Sequence, residues 1–186
     1  MTAGGDCHHA GIAVLAREGS RGLTHRAIDQ EAGVPTGTTT NYFRSREALL
    51  AGLYERIRTR LAPAPDDLAE RAGQPRGRAL FADYMRDIVR RLTTEPDVAR
   101  ALLELRVDSA RRPDLSAVLT PWLRTNLDAD VAFNRSMGLP GGRREIALFH
   151  YAIDGLLFDL LTTPIAPDLA SDDLIDALVT GLLRDE

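Results

Sequence analysis

The stretch GVPTGTTTNYFRSREALL, residues 33–50, decides how this chain is read. Three consecutive threonines, Thr38, Thr39 and Thr40, follow Gly37 and precede the pair Tyr42-Phe43. Threonine is β-branched and a weak helix former, so the run alone favours a strand or a loop. Its flanks favour helices. Thr24 suits the N-cap of a helix over 24–32, because its hydroxyl accepts from an early backbone N–H. Gly33 ends that helix as a C′ glycine. Pro35 suits the first turn of a third helix, where a missing N–H costs little. Ser45, with Ala48 and Leu49 behind it, opens a fourth whose apolar side is Leu49, Leu53 and Ile57. Two short helices thus meet at the turn EAGVPTG and further helical chain packs on them. That is the layout of a helix-turn-helix, whose second helix enters the DNA major groove.

The rest of the chain agrees with a helical protein. It has 186 residues, 44% hydrophobic and 27% charged, with a net charge of −4. That excludes a uniformly basic nucleic-acid binder, but the charge is uneven. Residues 1–60 carry eight arginines against six acids, and the remainder is net acidic. A mildly basic head on an acidic body fits one part facing a polyanion. All 23 basic residues are arginine. A single cysteine, Cys7, excludes an internal disulfide, and it is expected in a loose N-terminal tail. No secretory leader and no apolar run of membrane-spanning length is read, so a cytoplasmic protein without a membrane partner is expected.

Helical periodicity marks 7–18 (broken at Gly19 and Gly22), 78–94, 97–110, 114–137, 142–162 and 172–184. Thr120-Pro121 implies a kink or a fresh start within 114–137. Pro63, Pro65 and AGQPRG (72–77) punctuate the chain. The expected architecture is all-α with about nine helices. A three-helix DNA-binding head spans 1–60, and a ligand-binding and dimerisation body spans 61–186.

A recognition helix needs small outward groups that hydrogen-bond, and threonine supplies a hydroxyl for phosphate or base and a methyl for thymine. The run GLTHRAIDQEAGVPTGTTTNYFRSREALL, residues 22–50, resembles the TetR family of transcriptional regulators. It has a Thr-capped helix, an Ala-Gly-Val turn, a Gly-Thr helix with an aromatic-Phe end, and then Ser-Arg-Glu-x-Leu. The resemblance implies that Thr24, Tyr42 and Arg46 contact phosphate. It implies that Thr36, Thr38, Thr39 and Asn41 face the groove, with Gly37 allowing close approach. Val34, Ala32, Phe43 and Leu49 would be core. Two positions depart from the pattern. Thr40 stands where an aromatic is frequent, and Asp29 stands where a small residue is usual. Asp29 is expected to accept hydrogen bonds from the start of the third helix near residues 36–38, where its charge suits the positive helix end.

Dimers present two recognition helices to a pseudo-palindrome. In RREIALFHYAIDGLLFDLLTT (143–163), Ile146, Phe149, Ile153, Leu156 and Leu160 form one apolar face, and Leu148, Ala152 and Gly155 another. The resemblance implies a four-helix dimer interface from Leu148, Ala152, Gly155, Leu174, Leu178 and Leu182. It also implies a pocket for a small-molecule effector. Its expected apolar walls are Tyr84, Ile88, Leu102, Leu105, Trp122, Phe149 and Phe158, with Arg106, His150 and Asp154 as polar groups.

The expected function is a ligand-responsive homodimeric repressor of a DNA operator. An activator with the same head is the alternative, followed by a helical carrier or enzyme. No HExxH, Glu-x-x-His pair or phosphate-cradling glycine loop is present, so neither an enzyme nor a bound cofactor is expected. Cys7, His8 and His9 point about 100° apart on a helix and do not converge on one metal.

Overall fold

The computed structural model describes residues 3–183. They form ten helices and no strand, in the order α1 (Ala3–Gly22), α2 (His25–Glu31), α3 (Thr38–Tyr42), α4 (Arg46–Arg60), α5 (Pro65–Ala72), α6 (Arg78–Thr94), α7 (Pro96–Ser109), α8 (Pro113–Ser136), α9 (Arg143–Leu161) and α10 (Ser171–Leu182). The all-α reading holds, with one more helix than the periodicity suggested. The addition is α5, in the segment read as punctuation. Its signals are local: Pro65 sits in the first turn, and Asp66 and Asp67 complement the positive end of the helix. Pro121 does not interrupt α8, which runs through it. Gly19 bends α1 at φ 67° and the helix resumes to Gly22. None of the helices among the described residues is long and apolar enough to cross a membrane.

The chain divides into two compact units. The first comprises Met1–Ala62 with Glu95–Pro121, so α7 and the start of α8 pack with α1 to α4. Its core is Ile12, Leu15, Leu23, Ile28, Leu49, Leu50, Leu53, Ile57, Leu105 and Leu115, each at most 2% exposed. Each such side chain contributes about 1.5–3 kcal/mol of burial. α1 packs on α2, α4 and α7. Its approach to α4 is close: a Cβ on Gly11 would meet Leu53 Cδ2 at 2.5 Å. Cys7 begins this packed surface and is fully buried, which corrects its placement near a loose tail.

The second unit comprises Pro63–Thr94 with Trp122–Glu186. Here α6, α9 and α10 pack together. Phe81 and Phe149 meet with tilted rings, 4.7 Å between centroids. The buried stripe of α9 is Ile146, Phe149, Ile153, Leu157 and Leu161. This corrects the expected stripe, in which Leu156 and Leu160 took the last two places. Steps of four from Ile153 reach 157 and 161 and keep to one face. Buried Asp87 collects Arg71, Arg90 and Arg91, with Arg91 Nε at 2.7 Å and Arg71 Nη2 at 3.1 Å, and thereby ties α5 to α6. Burial pushes the Asp87 carboxyl up, but the arginines outweigh it and hold it below the usual carboxylate range.

Candidate nucleic-acid interface

The sequence builds the α2–α3 corner from backbone hydrogen bonds first. Thr24 caps α2, its hydroxyl oxygen accepting from Ala27 N at 3.1 Å. The helix closes in a Schellman turn: Gly33 N donates to Gln30 O at 3.2 Å and Val34 N to Asp29 O at 3.0 Å. Gly33 takes φ 64° there, a conformation that favours glycine. Pro35 lies ahead of α3 rather than in its first turn. Its carbonyl accepts from Thr38 N at 3.1 Å and from Thr38 Oγ1 at 2.6 Å. Gly37, the N-cap of α3, has φ 96° and no side chain with which to cap it.

Asp29 supplies that cap from α2. Its Oδ2 accepts from Gly37 N at 2.7 Å, and its Oδ1 accepts from Thr39 N at 2.7 Å and Thr39 Oγ1 at 2.5 Å. The residue is 3% exposed. Burial raises the Asp29 carboxyl, but the hydrogen bonds from Thr39 and Gly37 outweigh it, so the group sits below its usual 3.8. The departure from a small residue at this position is therefore a working part of the corner, as its charge suggested. Thr39 is correspondingly fully buried, with Cys7 Sγ 3.6 Å from its hydroxyl. That corrects its expected place facing the groove. Phe43, four residues on, shares its inward face and is 8% exposed.

The outward face of α3 carries Thr40, Asn41 and Tyr42, all exposed, with Tyr42 at 52%. Thr36 is exposed in the turn, and Thr24 is exposed at the start of α2. The Thr24 hydroxyl only accepts in its cap, so its proton remains free to donate to a phosphate. The Thr38 hydroxyl already donates to Pro35 O, which leaves it an acceptor toward solvent. His25 Nε2 lies 2.8 Å from Phe43 O and must carry the proton, because a carbonyl only accepts. This bond ties the start of α2 to the end of α3.

Arg46, expected at a phosphate, is turned into the protein. Its Nη1 donates to Leu23 O and its Nη2 to Ser20 O, both at 2.7 Å. Ser45 caps α4 by accepting from Ala48 N at 3.0 Å. Arg44, which carries no expectation above, is exposed two residues after Tyr42, and Arg26 is exposed on α2.

The expected effector residues fall in both units. Leu102, Leu105 and Arg106 belong to the first, and the others to the second. Leu105 is fully buried, and Phe149 is 3% exposed. Tyr84 is buried edge-on against Phe133, with ring centroids 5.2 Å apart. Ile88, Trp122 and Asp154 are half-buried. Phe158, at 52% exposure, is no wall of a closed cavity, and His150 pairs at the surface with Asp130 at 2.9 Å. Phe158 faces outward because the stripe through Ile153 and Leu157 takes the inner side of α9, whereas half-buried His150 lies at the rim of that side, held by Asp130.

The expected interface residues lie on the opposite side. Leu148, Ala152, Leu174, Leu178 and Leu182 are half-buried and Gly155 is exposed. Leu156, Leu174, Ala177, Leu178, Gly181 and Leu182 line an open apolar groove of about 490 Å³. Tyr151, 71% exposed, and Phe158 extend the apolar surface of α9.

Two family models match this chain. That of bacterial regulatory proteins of the tetR family covers residues 9–53. That of the tetracyclin repressor-like C-terminal domain covers residues 76–185. No curated protein matches it. Among solved structures, a TetR-family member from Streptomyces coelicolor A3 superposes with a TM-score of 0.75 at 20% identity, over 100% of each chain. A transcriptional regulator from Rhodococcus sp. Rha1 gives 0.73 at 20% identity, over 97% of this chain and 96% of that one. The multidrug binding protein EbrR complexed with ethidium gives 0.69 at 19% identity, over 99% and 100%. At these identities the structures speak for the fold. With a clamped helix-turn-helix in its first unit and a C-terminal match across more than half its length, the chain belongs to the TetR family of transcriptional regulators.

Proposed function

We propose that the protein is a homodimeric, ligand-responsive repressor that reads a pseudo-palindromic operator through α3. The outward face of α3 carries this reading. It presents Thr40, Asn41 and Tyr42 to solvent, while Thr39 and Phe43 anchor the helix from behind. Asn41 suits an adenine edge, and Thr24, Thr36 and Tyr42 suit phosphates. Gly37 has no side chain to hold the strand away, and Thr38 accepts rather than donates. Arg26 and Arg44 supply the exposed positive charge that draws the head to the duplex.

The partner is a second copy of the chain, docked on the apolar face of α9 and α10. An exposed face of Tyr151, Gly155 and Phe158 beside a leucine-lined groove supports this. The effector would bind in the second unit. EbrR holds ethidium, which supports a body that takes a small aromatic molecule. Tyr84 Oη is buried without a hydrogen-bond partner among the described residues, which supports an effector that accepts a hydrogen bond there. The effector weakens operator binding by its differential affinity for two arrangements of the dimer.

Selection of bound duplexes from a random pool tests the DNA reading. The protein should enrich one palindromic consensus. Asn41→Ala should relax the preference at one position per half-site, at about 1–3 kcal/mol, and leave the others intact. A pool with no consensus at any salt concentration contradicts the proposal.

A further inference from the structure

The second carboxylate buried in the first unit is Asp108, on α7, 8% exposed. It sits 88 residues from its partner: Ser20 Oγ donates to Asp108 Oδ2 at 2.6 Å. Ser20 is itself 5% exposed and lies just past the Gly19 bend, where α1 runs out. Helix ends leave carbonyls without intrahelical partners. At this end the Arg46 guanidinium takes two of them, Ser20 O and Leu23 O, in a fork that a lysine would not reproduce. Arg46 is the first residue of α4, three positions after Phe43 closes α3. The next residue after Leu23 is Thr24, the N-cap of α2.

We propose that Asp108 is a positioning residue for operator recognition: through Ser20 and the Arg46 fork it sets the α3–α4 junction and the start of α2. The inference rests on the reading of α3 as the DNA-contacting helix. Arg46 is then a brace and not a phosphate contact. Three links make the path: carboxylate to hydroxyl, the Ser20 and Leu23 carbonyls to guanidinium, and guanidinium to the α4 N-terminus. Arg111 and Arg112, each 3.6 Å from an Asp108 oxygen, hold that carboxylate in place. A shift of α7 would therefore reach the two DNA-contacting corners through polar contacts of fixed length.

A double-mutant cycle between Asp108→Ala and Arg46→Met on the full chain tests this, read as affinity for the selected operator over a range of salt, well below the melting temperatures. Each single variant should weaken binding about tenfold, and the double variant hardly more than either, because both release one junction. The salt dependence should keep its wild-type slope. Asp108→Asn, which still accepts from Ser20, should restore most of the affinity. In the free protein, amide exchange over residues 43–49 should rise in Asp108→Ala. Additive losses, with a slope reduced by about 2 per dimer in Arg46→Met, would show a phosphate contact in each subunit and overturn the proposal. A lower melting temperature with unchanged affinity and unchanged exchange would also overturn it, leaving Asp108 a purely structural group. If the wild-type chain binds no duplex, the DNA reading fails, and exchange over 43–49 still decides the link.

Discussion

Asp29→Ala is expected to lower the melting temperature by roughly 6–12 °C and to abolish operator binding. The substitution strips the acceptor from two backbone N–H groups, Gly37 N and Thr39 N, and from the buried Thr39 hydroxyl. Hydrogen bonds to a charged acceptor contribute about 1.5–3 kcal/mol each, and donors left unmatched add a desolvation cost. Because these bonds do not act independently, a net loss of about 3 kcal/mol is expected. Glycine at the N-cap in a left-handed conformation offers no replacement, so the five-residue α3 has no other cap. Asp29→Asn should be milder, since its amide oxygen keeps one acceptor while its NH2 faces a donor. The depressed Asp29 pKa gives the pH dependence a definite sign. Its stabilisation is complete above the unfolded-state value near 3.9 and is lost as pH falls through the lower folded-state value. Wild-type melts should therefore show a larger acid-side loss than Asp29→Ala, which keeps the loss from Asp87. A wild-type melting temperature in Asp29→Ala would refute the clamp.

If the proposed dimer forms through α9 and α10, Gly155→Arg is expected to leave the chain monomeric and to weaken operator binding by 100-fold or more, by mass, light scattering and gel shift. A Cβ at Gly155 meets nothing within 4 Å in its own chain, so the arginine has no fold to disturb. Removing a glycine from a helix interior should even favour the isolated helix, by about 0.5–1 kcal/mol. Helicity should be retained while association is lost. The cost arises between copies, where a guanidinium would enter an apolar face of Leu148, Tyr151 and Ala152 and be desolvated without a partner. Gly181, on the neighbouring groove, also has open space around it and offers a second site for the same test. A dimeric Gly155→Arg protein with full affinity would place the interface elsewhere.

The sequence carried the helices well because their signals are local. Thr24, Gly33 and Ser45 act as caps within three or four residues, and each does so in the structure. The α5 helix is also legible, from Pro65 and its two aspartates, but proline signals a helix break as well as a first turn, and the two readings compete there. Thr39 is legible as an inward residue, because a residue four before a core phenylalanine shares its face. Arg46 was different. Its partners are carbonyls 23 and 26 residues away, and no periodicity encodes them. The Ser20–Asp108 bond is likewise invisible along the chain, because it depends on α7 packing against α1. Asp29 could be anticipated because a carboxylate beside a helix start has one obvious use. The family resemblance places Phe158 and His150 in the pocket, but the α9 register turns Phe158 out and Asp130 holds His150 at the rim.

Footprinting of the selected duplex, with the mass of the complex measured in the same solution, tests the central claim most directly. Two copies of the chain should protect two symmetric half-sites, with their recognition contacts in successive major grooves one helical turn, about 34–36 Å, or a multiple of it apart. Protection of a single half-site by one chain, or uniform protection along the duplex, would contradict a paired pair of α3 helices reading a palindrome.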